Sequence, residues 1–150
     1  MSSAASRHEI EQTLIRFGAD QFMYGWKEDS AIIEFAARDR RIRFTLPLPN
    51  KTDERFIVRQ RYGTTVKNTP DRVEKLWEQE CRERWRALAV LIKAKLAGVD
   101  AGINQFEQEF LAHIVLPSRE TLGIWAARQL PNIYGKGKMP PLLPETTEHP

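Results

Sequence analysis

The chain has 150 residues, a formal net charge of +3, 41% hydrophobic residues and a single cysteine. That size and apolar content suit one domain with its own core and exclude a disordered chain, which lacks the apolar surface to offset the entropy of ordering. A lone Cys81 excludes an internal disulfide, and with no apolar leader after Met1 and no run of about 18 apolar residues, a reducing, cytoplasmic setting without a membrane span is expected.

His8 to Phe17 carries Ile10, Leu14 and Phe17 at helical spacing, and Gly18 stands where a left-handed cap ends a helix. Gln21 to Lys27 then alternates Phe22, Tyr24 and Trp26 against Met23, Gly25 and Lys27, the period of a strand. Lys27-Glu28-Asp29-Ser30 has turn chemistry, and Ala31 to Ala37 reads as a second strand with Ile33, Phe35 and Ala37 facing one way. Arg41 to Leu48 is a third, with Ile42, Phe44, Leu46 and Leu48 opposite Arg41, Arg43 and Thr45. Pro47 and Pro49 close it, because proline cannot donate to the ladder. Arg55 to Tyr62 alternates again and predicts a fourth strand, while the polar stretch from Gly63 to Thr69 equally suits a mobile arm.

Thr69-Pro70-Asp71 is a helix start: a capping hydroxyl, a proline at the first helical position, and an acid beside the positive end of the macrodipole. The stripe Val73, Trp77, Cys81, Trp85, Leu88, Ile92 and Leu96 carries the helix to about Ala97, with Glu78–Arg82 and Glu80–Arg84 as flanking pairs. Gly98 and Gly102 mark a break, after which Asn104 and Glu107 form a capping box for a helix bearing Phe106, Phe110, Leu111 and Ile114 that Pro117 stops. Ser118 is placed to cap a last helix through Leu122, Trp125, Ala126 and Leu130, ending at Pro131. The expected fold is α+β: a three- to four-stranded antiparallel meander packed on a long helix, with two shorter C-terminal helices. Residues 1–134 form the single domain and 135–150 an extended Gly/Pro-rich tail.

Catalytic chemistry finds little purchase. Cys81 sits on an apolar stripe between Trp77 and Trp85, where burial makes a thiol inert. His113 follows Glu109 by one helical turn, a pairing that orients an imidazole but also occurs as plain helix support. One cysteine and three scattered histidines give no zinc spacing, and Pro70-Asp71 with Glu74-Lys75 falls at a helix start where a nuclease would need strands. Gly135-Lys136-Gly137-Lys138 lacks the strand and helix of a phosphate loop and reads as a basic linker. No catalytic residue, metal site or cofactor is therefore expected.

Charge distribution carries more. From Arg38 to Lys67 nine basic residues stand against three acidic ones, leaving the remainder net negative. If the third and fourth strands share a sheet, Arg41, Arg43, Arg59 and Arg61 line one face, with Arg38, Arg40, Lys51 and Lys67 around its rim. Guanidinium groups bind phosphate bidentately, and Tyr24, Trp26, Phe56 or Tyr62 would offer stacking platforms if exposed. Nucleic acid is the expected partner, single strands favoured because no groove-reading motif is present. The rival is an acidic protein partner docked on the same arginines or on the Trp77 to Trp85 helix. Ordinary solvation of a wet sheet face is the plain alternative to both. Self-association is not legible here.

The stretches Arg84 to Leu96, Gly102 to Pro117 and Phe17-Gly18-Ala19-Asp20-Gln21-Phe22 resemble small uncharacterised proteins of tailed phages and prophages. The resemblance covers most of the chain and implies a setting, DNA metabolism or the disabling of host defences, with no site residues. The order of meander and long helix is also similar to the β-β-β-α core of single-strand annealing proteins, without a residue signature of annealing.

Overall fold

The structure is a computed structural model and describes residues 2–27 and 29–137. Glu28 of the first turn and Lys138 to Pro150 of the expected tail lie outside the described residues. Helix α1 (Ser3–Phe17) begins earlier than its apolar spacing suggests because Ser2 caps it, accepting from the Ala5 N–H, and it ends at Gly18 with φ 100°. Strands β1 (Asp20–Lys27), β2 (Ser30–Ala37) and β3 (Arg40–Pro47) follow as an antiparallel sheet in the order β1-β2-β3. Period-two patterning sets the register, since a slip of one residue would turn every apolar side chain outward. Ile33 thus pairs with Tyr24 and Phe44, and Phe35 with Ile42.

The fourth strand departs from expectation. Glu54–Ile57 forms a single helical turn, α2, capped by Asp53. Only Val58–Arg61 is extended, as β4, and it pairs with β5 (Thr64–Lys67) in a separate two-stranded ribbon. Tyr62 and Gly63 make its two-residue turn with φ of 50° and 75°, the left-handed pair of a type I′ hairpin, which suits the twist of the strands it joins. Alternation alone does not say which partner a strand chooses, and a local hairpin closes a far shorter loop than a return to β3.

Helix α3 (Pro70–Asp100), capped by Thr69 as expected, runs 31 residues, about 46 Å. It covers the sheet's inner face together with α1. Their junction is the core: Ile10 and Leu14 of α1, Ile33, Phe35, Ile42 and Phe44 of the sheet, and Trp85, Leu88, Ile92 and Leu96 of α3. Each such side chain contributes about 1.5–3 kcal/mol by leaving water.

Beyond α3 the capping box does not form. Gln105 occupies the cap position without a side-chain bond, and Asn104 instead donates to Glu109 at 2.6 Å. Helix α4 is only Phe106–Glu109, followed by a 3-10 turn, Leu111–His113. Phe106 and Phe110 are buried there, and Ile114 bridges to Ile42, so the chain turns extended beside β3 where a helix was expected. Thr121, not Ser118, caps α5 (Leu122–Lys136). Pro131 lies inside α5 and does not end it. Pro131 and Ala127 are both exposed, so the carbonyl that loses its donor opens to water. The helix also carries Gly135 and Lys136, which the tail had been expected to contain.

Candidate nucleic-acid interface

The outer face of the sheet carries Met23, Glu34, Arg41 and Arg43, because cross-strand partners share a face: Met23 pairs with Glu34, and Glu34 with Arg43. Glu34 is 6% exposed. It accepts from Arg41 Nε at 2.8 Å and from Arg43 Nε at 2.5 Å. Burial disfavours its charge, but the hydrogen bonds and charges of the two guanidinium groups outweigh that and hold the carboxyl below its ordinary range. Arg43 Nη1 also donates to the Arg119 carbonyl at 2.7 Å. Arg119 belongs to the loop after Ile114, which the Val115 N–H pins to the Arg41 carbonyl at 2.8 Å. Met23, Glu34, Arg41, Arg43, Leu116 and Arg119 thereby line an open groove.

This face is less cationic than the sequence suggests, since one carboxylate sits between its two arginines. Arg59 and Arg61 are not part of it. They stand on the β4–β5 ribbon, which is a separate sheet, so the four-arginine face is corrected to two pairs on different elements. The rim disperses as well. Arg38, held at φ 48° in the β2–β3 turn, lies over the rings of Phe17 and Phe106 at 4.4 and 5.4 Å. Arg40 pairs with Glu107 at 3.0 Å. Lys51 pairs with Glu74 at 2.7 Å and covers the Trp77 ring at 4.5 Å.

The ribbon keeps its charge. No acidic residue occurs between Glu54 and Asp71, while Arg59, Arg61 and Lys67 all lie on β4 and β5. Among the described residues none of the three takes part in an ion pair, unlike Arg55 at the root, which reaches Asp53 at 3.2 Å and Glu80 at 3.7 Å. Arg59 is half-buried with its Nε enclosed and without an acceptor. Arg61 lies over Tyr62 at 5.7 Å, and Tyr62 at the tip is 95% exposed. Asn68 anchors the root, its side chain donating to the Phe56 carbonyl at 2.8 Å and its backbone N–H to the Ile57 carbonyl at 2.7 Å. Of the expected platforms, Tyr62 and Trp26 are open, Tyr24 donates to Glu11 at 3.2 Å, and Phe56 is buried.

Comparison with protein-family models, with curated proteins and with solved structures finds no match to the chain. Function must be read from its own residues. Those considered for catalysis are tied into structure. His113 stacks on Phe44 with ring centroids 4.1 Å apart, and Glu109 turns to Lys95 and Asn104. Among the described residues no group of three His, Cys, Asp or Glu side chains stands together to hold a metal, and no helix is long and apolar enough to cross a membrane. Sequence reasoning missed Glu34 and Arg119. Glu34 was visible as a lone acid on the wet side of β2, whereas Arg119 had no signal before the loop's position was known.

Proposed function

We propose that this is a non-enzymatic protein that binds nucleic acid, single strands in preference to duplex, in a phage or prophage setting. The observation that carries this reading is the β4–β5 ribbon, with three cations outside any ion pair among the described residues and an exposed tyrosine at its tip. Arginine and lysine neutralise phosphates, and an exposed aromatic ring stacks on a base whatever its identity. Arg41 and Arg43 on the outer sheet face, with Arg119 of the adjoining loop, are a secondary contact, weakened by Glu34.

The test is fluorescence anisotropy of labelled single-stranded DNA, duplex DNA and RNA at low and near-physiological salt. Binding should weaken with salt at a log–log slope of about 0.7 per phosphate neutralised on a single strand. Arg59→Ala with Arg61→Ala should lower that slope by about 1.4, and Tyr62→Ala should cost about 1–3 kcal/mol. Affinity no better than about 10⁻⁴ M for every form at near-physiological salt would reject the reading.

A second reading, a protein-interaction module, is favoured by α5. That helix contributes no buried residue, and Ile124, Leu130 and Tyr134 are 52, 47 and 84% exposed. Salt-insensitive capture of a protein partner, lost in Ile124→Asp, would favour it over the first.

A further inference from the structure

A cleft at the start of α1 is built from residues that the cationic ribbon does not use. Trp26, 65% exposed near the end of β1, meets Trp85 of α3 edge-on, with ring centroids 6.4 Å apart. Trp77, about two turns earlier on α3, donates its indole N–H to the Pro49 carbonyl at 2.6 Å. These three indoles, with Leu48 and Cys81, line an opening of about 310 Å³, at the small end of the range of ligand pockets, about 300–1,000 Å³. The Trp77 bond and the Trp85 burial hold two of the rings in place before any ligand arrives.

The rim is cationic. Arg7 lies over the Trp85 ring at 5.5 Å and Arg82 lines the same opening. Among the described residues neither takes part in the kind of ion pair that neutralises Arg40, Arg41 and Lys51. Ser2 and Ser3 also line the cleft, so the positive end of α1, whose first turn has no acidic residue, adds to the field. Among the described residues that line the opening, Glu78 is the one carboxylate. A purely apolar ligand would have no use for two arginines, and a simple anion no use for three indoles. Together they describe a planar aromatic group bearing a negative charge.

We infer that this cleft seats the base of an unpaired nucleotide against Trp26 and Trp77 while Arg7 and Arg82 hold its phosphate. The inference rests on the nucleic-acid reading and adds a base-gripping contact to it. The ribbon's root and the cleft share one helix, Trp77 lying seven residues after Pro70, about 10 Å along the axis.

Intrinsic tryptophan fluorescence of the full chain, titrated with dAMP, deoxyadenosine, inorganic phosphate and oligo(dA), tests it. Saturable quenching by dAMP is expected, with deoxyadenosine and phosphate each much weaker. Trp26→Ala, on an exposed ring, should weaken dAMP and oligo(dA) about 5- to 150-fold, and Arg82→Ala should weaken dAMP but not deoxyadenosine. Arg59→Ala with Arg61→Ala should weaken oligo(dA) and leave dAMP unchanged. Oligo(dA) binding that Trp26→Ala leaves intact, with no response to dAMP, would overturn the cleft and leave the ribbon standing. Binding of dAMP without oligo(dA) would keep the cleft and remove the nucleic-acid reading. Phosphate binding as well as dAMP would reduce the site to an anion hole and overturn the inference, and silence toward every probe would overturn the cleft, with anisotropy of labelled oligo(dA) deciding whether the ribbon, which has no tryptophan, still binds.

Discussion

Glu34 and Arg43 stand directly opposite each other on β2 and β3, and Arg43 Nε donates to the Glu34 carboxylate at 2.5 Å. Arg41, whose direct cross-strand partner is Ala36, closes on the same carboxylate from the diagonal position at 2.8 Å. The pair stabilises the sheet and at the same time limits its positive charge.

Replacing this carboxylate should separate those two effects. Glu34→Ala leaves two guanidinium groups without their acceptor and should cost about 1–3 kcal/mol in urea unfolding. It should also raise polyanion affinity, since a negative charge leaves the groove. Because the folded carboxyl titrates below its ordinary value of 4.5, its contribution to stability is whole above that pH and is lost as pH falls through the folded value. Unfolding free energy measured below about pH 4.5 should therefore fall less steeply in Glu34→Gln than in the parent.

His113 carries a second acid-side dependence. Burial, then the charge of Lys95, holds its imidazole below the ordinary value of 6.5. The neutral ring's contribution is whole above about pH 6.5 and declines as pH falls through the folded value. Its ring-proton shift in NMR should titrate below 6.5, and His113→Phe should flatten stability between there and pH 5. A His113 midpoint at or above 6.5 would contradict the packing against Phe44.

Cys81 should behave as a packed residue. Burial is the main influence pushing its thiol up, against the opposing charge of Arg84. A mild thiol reagent at pH 7–8 should react with the native protein at least about tenfold more slowly than with the urea-unfolded chain. Equal rates would show the α3 stripe to be open at this point.

Gly123 sets how closely α5 lies against the 3-10 turn. A methyl group there would fall 2.8 Å from the Ala112 carbonyl oxygen and 3.1 Å from Ala112 Cβ. Neither contact is with the end of a flexible side chain, so Gly123→Ala should cost about 1–3 kcal/mol. The loss should concentrate in α5, visible as faster amide exchange there with the core of α1, α3 and the sheet unchanged.

Much of the fold was legible because its signals are local. Alternation in Ala31 to Ala37 and Arg41 to Leu48, the Thr69-Pro70-Asp71 start and the long α3 stripe each specify an element from neighbouring residues alone. What each element touches is not local. The alternation in Arg55 to Tyr62 is compatible with either a fourth sheet strand or a hairpin, and only the pairing of β4 with β5 moved Arg59 and Arg61 away from Arg41 and Arg43. Phe106 and Phe110, buried in the core, likewise overrode a continuous helix and a capping box that short-range spacing favours.

The order of charged and apolar residues along the chain was enough to specify the strands, the long helix and the basic stretch from Arg38 to Lys67. Tertiary structure alone decided which cations keep their charge free. Arg40, Arg41, Arg43 and Lys51 acquire carboxylates from Glu107, Glu34 and Glu74, some distant in sequence, whereas among the described residues Arg59, Arg61 and Lys67 on the β4–β5 ribbon join no ion pair. Ion pairing falls off within a few ångströms, so it depends on folded distances that no count of residues along the chain contains.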